Sequence, residues 1–256
     1  MTILDAFKLG GKVALVTGAN RGLGRAIAAA LAEAGADVAG LNRSWDDGGA
    51  AELVTAAGRR YHHMACDLGA ATRADLKAVI DEVIDQLGGL DILVNNAGLV
   101  RRADILDYSD EDWNLVIQVN LTAAFQLAQL AAEHMVEVEG GKIINIASML
   151  SFQGGIRVPA YTASKHGLVG VTLAMANELA AKGVNVNAIA PGYMVTDNTA
   201  ALRADPKRNA AILERIPAGR WGDPDDLQGA VVFLASDAAN YVHGAVLPVD
   251  GGWLAR

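Results

Sequence analysis

Cysteine and metal-ligand patterns are almost missing from this sequence. Cys66 is the only cysteine among 256 residues, which excludes an internal disulfide and a thiolate metal cage. The five histidines show no metal-ligand spacing, so we predict no metal site. Because disulfides are common in oxidising compartments, a single cysteine is typical of a reducing one such as the cytoplasm.

Basic clusters and long apolar runs are also missing. The net charge is -8, from 21 basic and 29 acidic residues. Since nucleic acids are bound by clustered positive charge, the sequence argues against a nucleic-acid partner. No apolar run approaches the ~20 residues that span a bilayer, and residues 1–12 lack the pattern of a signal peptide. We therefore predict a soluble cytoplasmic protein, with no membrane partner, that acts on a small molecule.

The chain does contain apolar residues in short, regularly spaced runs. Hydrophobic residues make up 52% of it, and β-branched runs alternate with helix-length segments rich in Ala and Leu. Several runs are apolar at consecutive positions, as in strands buried on both faces of a parallel sheet. The pattern predicts an α/β fold of the Rossmann type: a doubly wound parallel seven-stranded sheet with helices on both faces. The strands are predicted at Lys12–Thr17, Asp37–Leu41, Arg60–Cys66, Leu90–Asn95, Lys142–Ala147, Val184–Ala190 and Ala245–Val249.

No linker, repeat or low-complexity tract divides the sequence, so we predict a single domain over residues 1–256. The least regular part, residues 192–223, follows the sixth predicted strand. Long connections at strand ends commonly form lids or binding segments. We therefore predict a substrate lid there.

The glycine-rich segment "LVTGANRGLG" places Gly18, Gly22 and Gly24 after the first predicted strand and at the start of a helix. Glycines allow a tight turn and let backbone amides approach a pyrophosphate, whose charge is favoured at a helix N-terminus. The spacing is G-x-x-x-G-x-G, and such a segment can also be no more than a tight turn. Its place after the first of seven strands favours a dinucleotide site. The loop residues predicted to line that site also include Asn20, Arg21 and Leu23.

The end of the second predicted strand bears on the choice of cofactor. An acidic residue there accepts hydrogen bonds from the ribose hydroxyls of NAD, but this region reads "LNRS". Asn42 does not repel a 2′-phosphate, and Arg43 can pair with it through a charge-assisted contact. Arg21 can add a second positive charge, although both arginines could instead be solvated loop residues. The residues favour NADP(H) without excluding NAD(H).

Three polar side chains point to a reaction. Tyr161 and Lys165 are four residues apart in a helical stretch and share one face, and Ser148 ends the strand "KIINIAS". Bringing the tyrosine pKa from about 10 to near neutrality takes roughly 4 kcal/mol, which the lysine ammonium and an oxidised nicotinamide could supply together. The phenolate would then take an alcohol proton as hydride leaves, with Ser148 bonded to the same oxygen. A Tyr-x-x-x-Lys pair alone is common on protein surfaces.

Taken together, the motifs resemble those of the short-chain dehydrogenase/reductase family. They are "TGANRGLG", "NNAG" at residues 95–98, Asn120, Ser148, "YTASK" and "PGYMVT", in the family's order and extending to the terminal "VDGGW". The resemblance implies that Tyr161 is the acid/base, that Lys165 lowers its pKa and binds the nicotinamide ribose, and that Ser148 orients the substrate. It also implies that Asn120 holds a water that links Lys165 to a proton relay.

The resemblance implies further cofactor contacts. Asp67 matches the residue that meets the adenine amino group, Asn95 lies beside the adenosine portion, and Thr196 lies near the carboxamide and phosphates. "NNAG" can instead chiefly end the central strand and support its neighbours. Beyond the glycine loop, the predicted cofactor contacts are Asn42, Arg43, Asp67, Leu68, Asn95, Ala97, Gly98, Tyr161, Lys165, Pro191, Gly192 and Thr196.

The chain is similar beyond these motifs to one branch of the family, the dehydrogenases of gluconate, 2-deoxy-gluconate and 2-dehydro-3-deoxy-gluconate. The matching stretches include "KIINIASMLSFQGGIRVPAYTASK", "NAIAPGYM" and "RIPAGRWG". The similarity implies hydride transfer between a nicotinamide cofactor and a secondary hydroxyl or ketone of a sugar acid. That branch is associated with NAD, which conflicts with the preference indicated by Asn42 and Arg43.

A sugar acid needs a cation for its carboxylate and side chains that both donate and accept hydrogen bonds. Candidates lie between the catalytic serine and tyrosine, after the fourth strand and in the predicted lid. They are Arg102, Gln153, Arg157, Asn198 and Arg203 for polar contacts, and Met149 and Trp221 for an apolar wall. Arg157 can instead pair within the fold or across a subunit interface, and ordinary packing is an equal alternative for Met149 and Trp221.

The helices predicted over residues 112–137 and 160–182 are apolar on more than one face. The additional apolar surface indicates a subunit interface or a wide face covered within the monomer, and the family resemblance implies a homotetramer.

Two other functions remain as alternatives. A 3-oxoacyl-carrier-protein reductase would need a basic docking surface, which the acidic composition argues against. A nonenzymatic dinucleotide sensor would have no need to keep the set of Asn120, Ser148, Tyr161 and Lys165.

Overall fold

The structure, a computed structural model, describes residues 2–256 and is built on one parallel sheet. Its strands are β1 (Val13–Thr17), β2 (Asp37–Asn42), β3 (Tyr61–Ala65), β4 (Ile92–Asn95), β5 (Gly141–Ile146), β6 (Val184–Pro191) and β7 (Val246–Val249). Their order in the sheet is β3-β2-β1-β4-β5-β6-β7, and every neighbouring pair is parallel. The seven-stranded Rossmann-type sheet predicted from the sequence is confirmed.

Helices cover both faces of this sheet. They are α1 (Gly22–Glu33), α2 (Ala50–Ala56), α3 (Arg73–Leu87), α4 (Asp110–Ile117), α5 (Ala123–Glu137), α6 (Pro159–Leu179), α7 (Ala200–Ala204), α8 (Pro206–Arg215) and α9 (Gln228–Ala235). One core cluster joins the sheet to α3, α5 and α6, and the other joins it to α1, α2 and α9. Leu15 of β1 belongs to the first cluster, and Ala14 and Val16 belong to the second. Burial on both sides explains why the strand is apolar at consecutive positions.

β1 and β4 lie side by side in the middle of the sheet, and the chain builds outward from them in opposite directions. Ligands of doubly wound folds bind at the carboxyl ends of the strands at such a point. Here the loops after the two strands are tied together. The Asn96 Nδ2 donates to the Thr17 carbonyl at 2.8 Å and to the Gly18 carbonyl at 3.2 Å.

Residues 192–223, the predicted lid, contain α7 and α8. The Asp205 side chain caps α8 by accepting hydrogen bonds from the backbone amides of Lys207 and Arg208. Ile212 of α8 packs in a small apolar cluster with Met149 and Trp253. The segment therefore lies against both the loop after β5 and the C-terminal turn.

A π-helical turn, Gln118–Thr122, joins α4 and α5 into one continuous helix over Asp110–Glu137. Its most apolar 18-residue window has a mean hydropathy of 1.4, so length and composition alone would suit a membrane span. However, 56% of that window is buried inside the fold, which accounts for its apolar character. The π turn itself holds Asn120 in the interior, and such turns are frequent at functional sites.

Candidate active site

The loops that follow β1 to β6, together with α8, surround a cavity of about 970 Å³. Small-molecule sites are clefts of roughly 300–1,000 Å³. The glycine loop and the end of β2 contribute to the lining, and so do Ser148, Tyr161 and Lys165. The two halves of the predicted chemistry, dinucleotide binding and proton transfer, thus share one cavity.

The glycine loop has the backbone that its sequence predicts. Gly18 and Gly22 have φ angles of 66° and 50°, which side chains other than glycine rarely adopt. At Gly24, a Cβ atom would lie 2.0 Å from the Gly18 carbonyl oxygen, so only glycine fits. α1 begins at Gly22, and its N-terminus therefore faces the cavity with the unpaired backbone amides that favour an anion. This cradle fits the pyrophosphate of a dinucleotide.

Asn42 and Arg43 have different environments at the end of β2. Asn42 is buried, accepts a hydrogen bond from the Asn20 backbone amide at 3.1 Å and contacts His63 Nε2 at 3.1 Å. It therefore fastens the glycine loop to β2. Arg43 is exposed, borders the cavity and forms no ion pair within residues 2–256. Arg21, by contrast, pairs with Asp197 at 3.4 Å.

Tyr161 and Lys165 lie one turn apart on α6, as their spacing predicts. The Lys165 Nζ is 5.6 Å from the centre of the Tyr161 ring and donates a hydrogen bond to the Ile146 carbonyl at 2.6 Å. Lys165 is buried, and the loss of hydration lowers its pKa to about 8. In most molecules Lys165 is therefore protonated at neutral pH.

In the protein without a cofactor, the pKa of Tyr161 does not fall towards neutrality. The prediction from the sequence was that Lys165 and an oxidised nicotinamide lower it together. Burial raises the pKa of Tyr161, while the Ser148 hydroxyl and the positive charge of Arg102 act in the opposite direction. The Ser148 hydroxyl thus favours the ionised form of Tyr161. Tyr161 is the protonated phenol at neutral pH in this environment.

Asn120 and Asn95 are buried beneath the cavity and do not line it. Asn120 accepts from the Leu99 amide at 2.9 Å and donates to the Ser164 hydroxyl at 3.2 Å. Asn95 donates to the Ala124 carbonyl and to Asn145 Oδ1, both at 3.0 Å. Asn95 therefore makes the supporting contacts that were the alternative interpretation of "NNAG". Asn120 positions the loop after β4.

One family model, described as enoyl-(acyl carrier protein) reductase, matches residues 18–254. The chain belongs to the short-chain dehydrogenase/reductase family. The resemblance inferred from the motifs is confirmed, and this short-chain dehydrogenase/reductase is an oxidoreductase.

Three relatives of this short-chain dehydrogenase/reductase match it over nearly its whole length. A 2-dehydro-3-deoxy-D-gluconate 5-dehydrogenase of Escherichia coli (strain K12) is 56% identical over 256 residues, which cover 99% of this chain and 100% of that protein. A solved structure from Agrobacterium tumefaciens with bound NADP is 55% identical, has a TM-score of 0.91, and covers 98% of this chain and 100% of its own. A gluconate 5-dehydrogenase from Burkholderia cenocepacia in complex with NADP and tartrate is 39% identical, has a TM-score of 0.94, and covers 100% of both chains.

Most residues that the sequence pointed to border the cavity of this short-chain dehydrogenase/reductase. From the cofactor and catalytic sets they are Gly18, Asn20, Arg21, Gly22, Leu23, Gly24, Asn42, Arg43, Asp67, Leu68, Ala97, Gly98, Ser148, Tyr161, Lys165, Pro191, Gly192 and Thr196. From the substrate set they are Arg102, Met149, Gln153 and Asn198. Arg102 also donates to the Asn198 carbonyl at 3.1 Å, which ties the loop after β4 to the predicted lid.

Arg157 does not border the cavity. Its Nε pairs with Asp104 at 2.9 Å, and its carbonyl accepts a hydrogen bond from the Ala103 amide. Its φ of 64° lies in the left-handed region. The structure therefore does not support Arg157 as a substrate contact. Instead, it joins the segment before Tyr161 to the loop after β4.

Arg203 and Trp221 do not border the cavity either. Arg203 donates to the Thr196 carbonyl at 3.2 Å and so holds the start of the predicted lid. Trp221 donates to Asn209 Oδ1 at 2.7 Å and packs edge-on against Tyr193. Both side chains support the segment that carries the site, rather than forming its wall.

The residues on the face of α8 that borders the cavity were not predicted from the sequence. Arg208, Ile212 and Arg215 lie on this face, and Trp253 of the C-terminal turn lines the cavity with them. Their spacing of four and then three residues is that of one helix face and could have indicated a shared surface. Arg215 also begins "RIPAGRWG", one of the stretches that resembles the sugar-acid branch.

Proposed function

We propose that this chain catalyses the reversible oxidation of a secondary hydroxyl group of a gluconate-type sugar acid, with NADP(H) as the hydride partner. The observation that carries the proposal is the placement of Ser148, Tyr161 and Lys165 in the same cavity as the glycine loop. The named activities of the Escherichia coli and Burkholderia cenocepacia relatives support the substrate class.

The chain's own residues fit a dinucleotide. Gly18, Gly22 and the N-terminus of α1 would hold the pyrophosphate, and Thr196 lies beside Gly22. Lys165 would hold the nicotinamide ribose. The bound cofactor supplies the acceptor or donor of the hydride.

Tyr161 handles the proton. Because burial raises its pKa, it is a phenol at neutral pH and can donate its proton to the oxygen of a ketone that is being reduced. In the oxidation direction the same oxygen must become a phenolate, which the Ser148 hydroxyl and the charge of Arg102 favour. The Lys165 ammonium, 5.6 Å from the centre of the Tyr161 ring, would add to this stabilisation. Ser148 would also donate a hydrogen bond to the reacting oxygen.

Arg43 supports NADP(H) as the cofactor. It is an unpaired cation at the cavity edge, next to a neutral Asn42 where an acidic residue would favour NAD. A guanidinium binds a 2′-phosphate through charge-assisted hydrogen bonds. The Agrobacterium tumefaciens and Burkholderia cenocepacia structures both hold NADP.

We further propose a cytoplasmic homotetramer in which each chain is one domain and residues 192–223 form the substrate lid. Trp113, Phe125 and Leu173 support the assembly, because they are large apolar side chains exposed on α4, α5 and α6. Arg102, by bonding to the Asn198 carbonyl, supports a lid that closes over the cavity.

A panel assay tests the function. The purified enzyme is incubated with D-gluconate, 2-deoxy-D-gluconate, 2-dehydro-3-deoxy-D-gluconate, D-sorbitol or an acetoacetyl thioester, each with NADP and NAD in the matching redox state, and absorbance of the reduced cofactor is followed. We expect turnover of sugar acids above that of sorbitol. Preferred reduction of the thioester would instead identify a 3-oxoacyl-carrier-protein reductase, and no turnover with any substrate would favour the sensor.

A further inference from the structure

The face of α8 that borders the cavity carries two arginines, Arg208 and Arg215. The segment that follows Ser148 also borders the cavity, and its Gln153 contacts Arg215. These residues belong to α8 and to the loop after β5, whereas the glycine loop that fits the dinucleotide follows β1. The cavity next to α8 is therefore a candidate place for groups of the substrate other than the reacting carbon.

Arg215 is held in place by two contacts on different segments. Its Nη2 donates a hydrogen bond to Gln153 Oε1 at 3.1 Å, and its guanidinium lies 4.0 Å from the centre of the Trp253 ring. Stacking on an aromatic face together with a hydrogen bond fixes the plane of a guanidinium. Arg208 has no comparable side-chain contact within the described residues.

Within residues 2–256, no acidic side chain pairs with Arg215. Most of the other cations that border the cavity or the segments around it have partners. Arg21 pairs with Asp197, Arg101 with Asp112, and Arg157 with Asp104. Arg102 and Lys165 donate to backbone carbonyls. Arg215 thus combines a fixed orientation with a positive charge that no carboxylate of the chain neutralises.

We propose that Arg215 binds the carboxylate of the substrate and so selects sugar acids over neutral polyols. The inference rests on the proposed function. A planar guanidinium can offer two parallel donors to a carboxylate, which accounts for the need to fix its plane. Gln153 orients Arg215 through its amide oxygen and leaves its amide nitrogen to donate to a substrate hydroxyl. An uncharged substrate gains nothing from this contact.

The test compares Arg215→Leu with the unaltered enzyme on D-gluconate and on D-gluconamide, which lacks the charge. We expect kcat/KM for gluconate to fall by about 10- to 100-fold, as for a lost charge-assisted hydrogen bond, with a change below about threefold for gluconamide. Arg215→Lys should keep the preference for gluconate. Arg73→Leu is the matched control, because Arg73 also donates to a glutamine, Gln129, but lies on α3 away from the cavity.

Equal losses on gluconate and gluconamide would overturn the inference, since Arg215 would then only support Trp253 and Gln153. An unchanged preference in Arg215→Leu would overturn it as well. Calorimetric titration of gluconate into the NADP-saturated enzyme separates this result from the proposed function. If the unaltered enzyme binds gluconate without turnover, and Arg215→Leu binds it about 10-fold or more weakly, the proposed function fails while the carboxylate site stands. If neither protein binds gluconate, the carboxylate site is refuted.

Discussion

Lys165 keeps its ammonium 5.6 Å from the centre of the Tyr161 ring while it donates a 2.6 Å hydrogen bond to the Ile146 carbonyl. The hydrogen bond fixes the charge beside the end of β5, and no carboxylate of residues 2–256 forms an ion pair with it. A buried cation without a counter-ion costs folding free energy and acts on nearby developing negative charge. The charge of Lys165 therefore lowers the stability of the fold at the place where we propose that negative charge develops.

Replacing Tyr161 should remove the proton transfer and little else. Tyr161→Phe keeps the ring that Lys165 faces, so we expect kcat to fall by about 100- to 10,000-fold, as for loss of a general acid/base. Stopped-flow or steady-state absorbance of NADPH measures the fall, and fluorescence titration of NADPH gives the dissociation constant, which should change by less than about threefold. Normal turnover in this variant would rule out Tyr161 as the proton carrier.

Lys165→Met should stabilise the protein at neutral pH and inactivate it. Below about pH 8 the lysine is charged in both the folded and unfolded chain, and the folded chain bears the cost of burying that charge. As pH rises from about 8 towards 10.5, the folded chain loses the proton first, so its free energy of unfolding rises. The difference between a pKa of about 8 in the folded chain and 10.5 in the unfolded chain corresponds to on the order of 3 kcal/mol of unfolding free energy in favour of Lys165→Met. Loss of the hydrogen bond to the Ile146 carbonyl offsets about 1 kcal/mol of this gain.

Urea unfolding of both proteins at several pH values checks this expectation. The advantage of Lys165→Met should be largest near about pH 7 and should shrink as pH approaches about 10. Groups far from Lys165 titrate alike in both proteins, so the difference in stability reports mainly on Lys165. A constant difference across this range would contradict the lowered pKa.

Arg43→Ala should weaken binding of NADP and leave NAD almost unchanged. Arg43 is the unpaired cation at the end of β2, so its loss would remove the contact that we propose for the 2′-phosphate and that NAD lacks. We expect an increase of about 10-fold in the dissociation constant of NADP, because the contact is solvent-exposed, and less than about threefold for NAD. Arg73→Ala on α3 is the control for a general effect of lost charge. Equal weakening of NADP and NAD binding would show that Arg43 does not determine the cofactor preference.

Gly24→Ala should damage the glycine loop. The added Cβ would lie 2.0 Å from the Gly18 carbonyl oxygen, and the backbone must move to relieve the overlap. We expect a loss of about 1–3 kcal/mol in the free energy of unfolding and weaker dinucleotide binding. In Gly229→Ala on α9 no atom lies within 4 Å of the new Cβ, so that variant should be neutral or more stable by about 0.5–1 kcal/mol. Thermal unfolding with and without NADP compares the two, and similar behaviour would contradict the proposed crowding.

The fold and the grouping of Ser148, Tyr161 and Lys165 around one cavity could be predicted because the signals are local. Consecutive apolar residues mark each strand, glycines mark the tight turn, and a spacing of four places Tyr161 and Lys165 on one face of α6. The position of Ser148 just after β5 follows from the strand pattern. None of these signals depends on contacts between distant parts of the chain.

The wall around the substrate depends on such contacts, and there the sequence was less informative. Arg157 lies between Ser148 and Tyr161 in sequence, but Asp104 from another loop pairs with it outside the cavity. Arg215 is distant in sequence and reaches the cavity because Ile212 anchors α8 against Met149 and Trp253. Likewise, the π turn that buries Asn120 has hydrogen bonds that span five residues, one more than the helical pattern indicates.

The division of the cavity between α6 and α8 has a consequence for how such enzymes diversify. The residues proposed to move the proton lie on α6 and in the loop after β5, whereas Arg208 and Arg215 lie on α8, a short helix outside the sheet. We therefore expect changes on α8 to alter which compound is accepted without disturbing the proposed proton carrier. Exchange of α8 between related enzymes should therefore change the substrate specificity while the reaction stays the same.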